Sequence, residues 1–176
     1  MGKITFYELK NFQGKFYECT CDNLDLQSHL NSCNSIRVEN GLWMVYERPH
    51  YMGNQYFLKE GEYPDYHVWT GISDSIKSCL LLSLQKGLDV YRLRVYEKDD
   101  CTGKMTKFMN DCTNVHDHFC YPIRSCQVLG GLWLFFEKTD YRGKQYLLKP
   151  GKYERFTDWG SAHGTIGSLK RVMETL

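Results

Sequence analysis

A repeat with a period of 90 residues is the feature that most limits how this chain can fold. Trp43 and Trp69 recur as Trp133 and Trp159, and the segments between them align without a gap: LWMVYERPHYMGNQYFLKEGEY (Leu42 to Tyr63) against LWLFFEKTDYRGKQYLLKPGKY (Leu132 to Tyr153). Aromatic residues, glycines and turns persist while charges drift, so the duplication preserves packing and not a set of reacting groups. Over 176 residues it implies two units of under 90 residues, each with its own small core.

Each half divides again. Tyr7-x4-Phe12-x-Gly14, Tyr46-x4-Tyr51-x-Gly53, Tyr96-x4-Cys101-x-Gly103 and Phe136-x4-Tyr141-x-Gly143 share one template. A serine follows each glycine, Ser35, Ser78, Ser125 and Ser168, at gaps of 21, 25, 22 and 25 residues. The alternation gives the order A-B-A′-B′.

The local chemistry is that of strands. Aromatic residues make up 15% of the chain and alanine occurs once, at Ala162, so helices have little intrinsic support. Ile4 to Glu8 and Val90 to Tyr96 mix aromatic and β-branched side chains without helical spacing. The template glycine suits a backbone position with φ > 0, and the aromatic before it would lie across the hairpin it closes. Asn40-Gly41 and Leu129-Gly130-Gly131 are the expected turns between motifs. Four motifs of roughly 40 residues fit an all-β fold of two similar domains, each a sandwich of two Greek keys. The expected boundaries are residues 1–82 and 89–176, with a linker at 83–88.

Strand parity predicts an exterior apolar face as well as a core. If Trp43 and Val45 point inward, Met44 points outward, and Leu134 does the same beside Trp133. Phe57 with Leu147, and Leu82 with Val172, repeat the relation. Met44, Phe57 and Leu82 against Leu134, Leu147 and Val172 are the expected pseudo-twofold domain interface. Trp43 with Trp69, and Trp133 with Trp159, are the expected core tryptophans.

Residues such as ITFYE, WMVYERPHYMGNQYF and EYPDYHVW, set in four Y/F-x4-F/Y-x-G hairpins each followed by its serine, resemble the βγ-crystallin superfamily. The A-B-A′-B′ order, the short linker and the lack of terminal extensions resemble its vertebrate γ branch, over essentially the whole chain. The resemblance implies a monomeric two-domain structural protein of the lens fibre-cell cytoplasm, giving transparency and high refraction. It implies no catalysis and no cofactor, and only weak contacts with itself and other crystallins at high concentration. It also implies that the paired tryptophans dissipate absorbed ultraviolet light. Two features depart from the pattern. Cys101 stands where an aromatic is expected, so the third hairpin's lid should be weaker, and lysine (14) outnumbers arginine (8). These leave an S-type or an aquatic-vertebrate form open.

Composition agrees with a refractive role, since aromatic rings and the sulfur of eight Cys and six Met are polarizable. The formal net charge is +1 with both signs interspersed, and the basic pair Lys170-Arg171 is too short to hold nucleic acid. The start MGKITFYELK lacks a signal-like apolar segment, and no apolar run is long enough to span a membrane. Phe6 stands where N-myristoylation wants Ser or Thr, and no Asn-x-Ser/Thr acceptor occurs. The expected compartment is the cytosol, with thiols reduced; Cys19 and Cys21 are too close in sequence to bridge well.

Other functions are weighed against this. Microbial relatives in the superfamily bind calcium through an N/D-N/D-x-x-S/T-S loop. Here the aligned segments are Ser73-Asp74-Ser75-Ile76-Lys77-Ser78 and His163-Gly164-Thr165-Ile166-Gly167-Ser168, with one carboxylate and an intruding lysine in the first and no carboxylate in the second. Cys112, His116, His118 and Cys120 are spaced so that one strand face would present His116, His118 and Cys120 together, the one weak candidate for zinc or copper. Cys19, Cys21 and Cys33 form a looser group. No G-x-S-x-G, H-E-x-x-H or P-loop occurs. The repeated serines are expected to satisfy backbone groups, and Asp99-Asp100 to be a solvated turn. A stress or interaction module outside the lens is the remaining alternative.

Overall fold

The computed structural model describes residues 1–84 and 90–173; most of the expected linker, 83–88, lies outside the described residues. The chain divides into two compact units, Met1–Ser83 and Leu84–Leu176. Strands account for nearly all regular structure in both.

In the first unit, β1 (Lys3–Leu9), β2 (Gln13–Cys19), β3 (Ser35–Asn40) and β6 (Gly61–Tyr63) form an antiparallel sheet in the order β2-β1-β3-β6. A second set places β4 (Leu42–Arg48) between β5 (Met52–Leu58) and β7 (Ser78–Leu82). Both motifs lend their third segment to the other's sheet. The short β6 of motif two pairs with β3 of motif one, Val38 opposite Gly61. In return Asn23 of motif one bridges Cys79 of β7 through two hydrogen bonds of 2.9 and 3.0 Å. This exchange makes each unit a sandwich of two interlocked Greek keys.

The second unit repeats the plan. β8 (Arg92–Lys98), β9 (Thr102–Phe108), β10 (Ser125–Gly130) and β13 (Gly151–Tyr153) run in the order β13-β10-β8-β9. β11 (Trp133–Lys138) lies between β12 (Arg142–Leu148) and β14 (Ser168–Arg171). Cys112 bridges Leu169 as Asn23 bridges Cys79. The first strand here opens at Arg92, so the expected strand over Val90 to Tyr96 is shifted, and Val90 is exposed.

Alternation along the strands fills the cores. Ile4, Phe6, Ile36 and Val38 face Trp43, Val45, Leu58 and Cys79 in the first unit. Leu93, Val95, Cys126 and Val128 face Trp133, Phe135, Leu148 and Leu169 in the second. Trp69 joins the first cluster and Trp159 the second, so each expected tryptophan pair shares a core. Trp43 and Trp133 are fully buried, and each indole N–H donates to a carbonyl three residues back, Asn40 (3.0 Å) and Gly130 (3.1 Å). Among the described residues the buried Trp69 and Trp159 indole N–H groups have no acceptor, an arrangement that costs free energy.

Candidate functional site

The residues that recur four times build four folded hairpins, and in each the serine is fully buried. Ser35 Oγ donates to the Leu9 carbonyl (2.6 Å) and accepts from the Phe12 N–H (2.9 Å). Ser78 does the same for Arg48 and Tyr51 (2.6 and 3.1 Å), Ser125 for Lys98 and Cys101 (2.5 and 2.9 Å), and Ser168 for Lys138 and Tyr141 (2.6 and 2.9 Å). One hydroxyl thus closes a backbone donor and a backbone acceptor that the tight turn leaves unpaired. Committed to these two bonds and shielded from solvent, it is placed to hold the backbone and not to act as a nucleophile.

Each turn holds two non-glycine residues in the left-handed region: Asn11 and Phe12, His50 and Tyr51, Asp100 and Cys101, Asp140 and Tyr141, with φ from 57° to 62°. Bulky residues adopt φ > 0 at a cost of order 1–2 kcal/mol each. The following glycines, Gly14, Gly53, Gly103 and Gly143, have φ of 79° to 81°. A third bond offsets the strain. The N–H of the first left-handed residue donates to the carbonyl just beyond the exchanged segment of the partner motif: Asn11 to Pro64, His50 to Leu24, Asp100 to Glu154 and Asp140 to Thr113, all 2.8–2.9 Å. Each hairpin therefore fastens the interlocking of its own unit. This bond is absent from the sequence reading, although a signal for it existed. The four positions carry Asn, His, Asp and Asp, the residue types most tolerant of that conformation.

Aromatic lids cover three hairpins. Tyr7 and Phe12 have ring centroids 5.7 Å apart, Tyr46 and Tyr51 5.5 Å, and Phe136 and Tyr141 5.5 Å. At the third, Cys101 Sγ instead lies 3.5 Å from the Cys126 carbonyl, and burial raises its thiol pKa. A further repeated device also escaped the sequence. The Tyr63 hydroxyl accepts from the Lys59 N–H and donates to its carbonyl (3.1 and 2.9 Å), as Tyr153 does with Lys149 (2.8 and 3.2 Å).

The residues considered for metals are placed otherwise than expected. His116 lies in a short 3-10 turn, Val115–Asp117, and not on a strand, because the Asn114 side chain accepts from the His116 N–H (3.1 Å) and starts the turn. Cys112 is buried at its bridge to Leu169, Cys120 is exposed, and the His118 ring packs edge-on against Phe108. In the calcium-type segment Ser75 Oγ donates to the Glu47 carbonyl (2.8 Å) and Asp74 is exposed; in the second, Gly167 N–H donates to the Phe136 carbonyl (2.9 Å). Among the described residues, no three His, Cys, Asp or Glu side chains come together to hold an ion. Cys33 is fully buried and Cys21 exposed. Cys19 sits against Cys79 in the core; their shared hydrogen bond lowers the Cys19 pKa and, with burial, raises that of Cys79. Asp99 is not simply solvated, since it accepts from Arg124 Nε at 3.0 Å.

Met44, Phe57 and Leu80 stand opposite one another across β5-β4-β7, on the face turned away from Trp43 and the core, and Leu42 and Leu82 continue that face. Leu134, Leu147 and Lys170 occupy the matching row on β12-β11-β14, with Leu132 and Val172 beyond.

A family model described as Beta/Gamma crystallin matches residues 3–82 and 92–172. The chain is 59% identical over 174 residues to gamma-crystallin M1-2 of Aquarana catesbeiana, covering 98% of both chains. It is 51% identical over 176 residues to gamma-crystallin M2 of Chiloscyllium indicum, and 53% identical over 175 residues to gamma-crystallin B of Homo sapiens, covering 99% of each chain in both cases.

Proposed function

Since the chain belongs to the beta/gamma crystallin family, we propose that it is a structural constituent of the eye lens, working as a bulk refractive material and not as an enzyme. The observation that carries this is the full-length similarity, across both units, to proteins named gamma-crystallin. The physical design agrees with it. The serines and hairpin glycines that the duplication retains hold the backbone of the hairpins, and the retained tryptophans fill the cores. A protein kept for a very long time needs slow unfolding, and four hairpins that lock exchanged segments oppose local opening. Aromatic rings and sulfur raise the polarizability per gram. A calcium, zinc or copper role is not favoured by the donor geometry described above.

The finer reading places the protein as a monomer in the cytoplasm of lens fibre cells, with weak crystallin–crystallin contacts. None of the described helices is long and apolar enough to cross a membrane. The two domains span 1–82 and 89–176 around a linker at 83–88. We assign Met44, Phe57 and Leu82 with Leu134, Leu147 and Val172 to a pseudo-twofold domain interface. The support is their common strand register on the face opposite each core, because apolar faces repeated in both units can cover one another. Leu147→Asp should lower the unfolding midpoint of both domains; an unchanged midpoint in either removes the assignment.

Static light scattering of the reduced protein, concentrated without added ligand, tests the main role. Clear, monomeric solutions are expected. Turbidity or association at dilute concentration would overturn it.

A further inference from the structure

The two Greek-key sheets that share a backbone plan do not share a charge pattern. In the second unit, Lys107, Arg94, Gln127 and Lys152 stand in one row across β9, β8, β10 and β13, each opposite the next. Residues opposite one another share a face, and this one is turned away from Leu93, Val95 and Val128 of the core. Arg92 lies two residues before Arg94, on the same side. Lys107, Lys152 and Arg92 are exposed, none of these four cations has an ion-pair partner among the described residues, and the buried Arg94 Nε has no acceptor. The equivalent row of the first unit reads Glu18, Thr5, Arg37 and Glu62. There the charges neutralise one another: Arg37 with Glu62 at 3.2 Å, and Lys3 with Glu18 and Glu39 at 3.7 and 3.1 Å.

Whole-unit charge follows the same division. Residues 1–83 carry 7 Lys and Arg against 10 Asp and Glu, a net of −3, whereas residues 84–176 carry 15 against 11, a net of +4. The sum, +1, hides units of opposite net charge. Glu8, Asp25, Glu60 and Asp74 of the first unit have no cationic partner among the described residues.

We propose that the Arg92–Arg94–Lys107–Lys152 face is a docking surface for the acidic first unit of a second copy of this chain. The contact is heterologous, joining different surfaces of the two copies, so it need not close on itself. Copies in a crowded solution would acquire a preferred short-range order without forming a defined oligomer. Screening limits the attraction to roughly 10 Å at 0.1 M salt, which favours close neighbours and leaves dilute protein monomeric. Charge complementarity of this kind sets orientation more than affinity. The proposal deepens the lens reading by naming the surface behind the weak self-contacts.

The test compares the full chain with two double variants of equal net charge, by light scattering against protein concentration at low and high sodium chloride. Lys107→Glu with Lys152→Glu reverses the row; Lys144→Glu with Lys149→Glu changes two exposed lysines outside it. The unaltered chain should show attraction at low salt that salt removes. The row variant should lose that attraction and turn repulsive, while the control variant keeps most of it. Equal behaviour of the two variants, or no salt dependence in the unaltered chain, overturns the proposal. Tight binding of sodium triphosphate at the row without self-attraction would also overturn it, making the face a small-anion site. In each of these outcomes the lens reading stands if the concentrate remains clear.

Discussion

The first and third hairpins have the same backbone and different lids. Asn11, Phe12 and Gly14 have φ of 57°, 62° and 80°; Asp100, Cys101 and Gly103 have 59°, 57° and 81°. Over the first, the Phe12 ring meets Tyr7, and the Arg37 guanidinium lies 4.3 Å from its centroid while pairing with Glu62. At the third, the Cys101 thiol stands where the ring would be, against the Cys126 carbonyl, and the cation's place is taken by Gln127, flanked by Arg94 and Lys152. A guanidinium at residue 127 would be repelled from both sides. The hairpin conformation therefore does not depend on its lid. It depends on the glycine, the buried serine and the bond to the exchanged segment.

The strongest way to break this conclusion is to remove the serine. Ser35→Ala leaves the Phe12 N–H and the Leu9 carbonyl without partners, and Ser125→Ala does the same to Cys101 and Lys98. Each lost partner costs on the order of 1–3 kcal/mol, so a total of about 2–6 kcal/mol is expected at each hairpin. Denaturant unfolding with peptide-resolved hydrogen exchange would read it. A much smaller loss at one hairpin would mean that its lid, not its serine, holds it.

Exchanging the lids should do less. Phe12→Cys removes a partly buried ring and its cation contact, for a loss of about 1–3 kcal/mol. Cys101→Phe restores the ring above Tyr96 and should gain about 0.5–1.5 kcal/mol, the size of an aromatic pair. Exchange protection should move in the first unit for one variant and the second for the other. If Cys101→Phe destabilises, the third hairpin has repacked around sulfur and the two lids are not equivalent positions.

What could be read from the residues separates along similar lines. The all-β architecture, the two units and the four hairpin templates were legible because repetition samples each constraint four times: Gly14, Gly53, Gly103 and Gly143 cannot all mark φ > 0 by chance. The exchanged segments were not legible. β6 has three residues, and Asn23 and Cys112 contribute single bridges, too short to show any period. The expected strand face bearing His116, His118 and Cys120 failed because Asn114 starts a turn there, a local hydrogen bond that spacing does not reveal. The cationic row escaped for the opposite reason. Lys107, Arg94 and Lys152 are far apart in sequence and meet only through the register of four strands.

Two smaller effects sharpen the comparison of lids. A double-mutant cycle on Phe12→Cys and Arg37→Gln should give a coupling of about 0.5–1 kcal/mol, because a half-exposed guanidinium over a ring contributes no more. No coupling would mean that Arg37 is held by Glu62 alone.

The smallest difference lies at high pH. Burial raises the Cys101 pKa, so the folded state keeps this proton more tightly than the unfolded chain. Its stabilising contribution is complete below the unfolded thiol value of about 8.5 and is lost as pH rises through the folded value. Burial also raises Cys126 in the same unit and Cys33 in the other, so both units should weaken under alkali. Cys101→Phe removes one of these groups from the second unit only. Its unfolding free energy should then fall less steeply above pH 9 than that of the unaltered chain, with the first unit's slope unchanged. Equal slopes in the second unit would show that the Cys101 thiol is already solvated, and that the third hairpin has no lid at all.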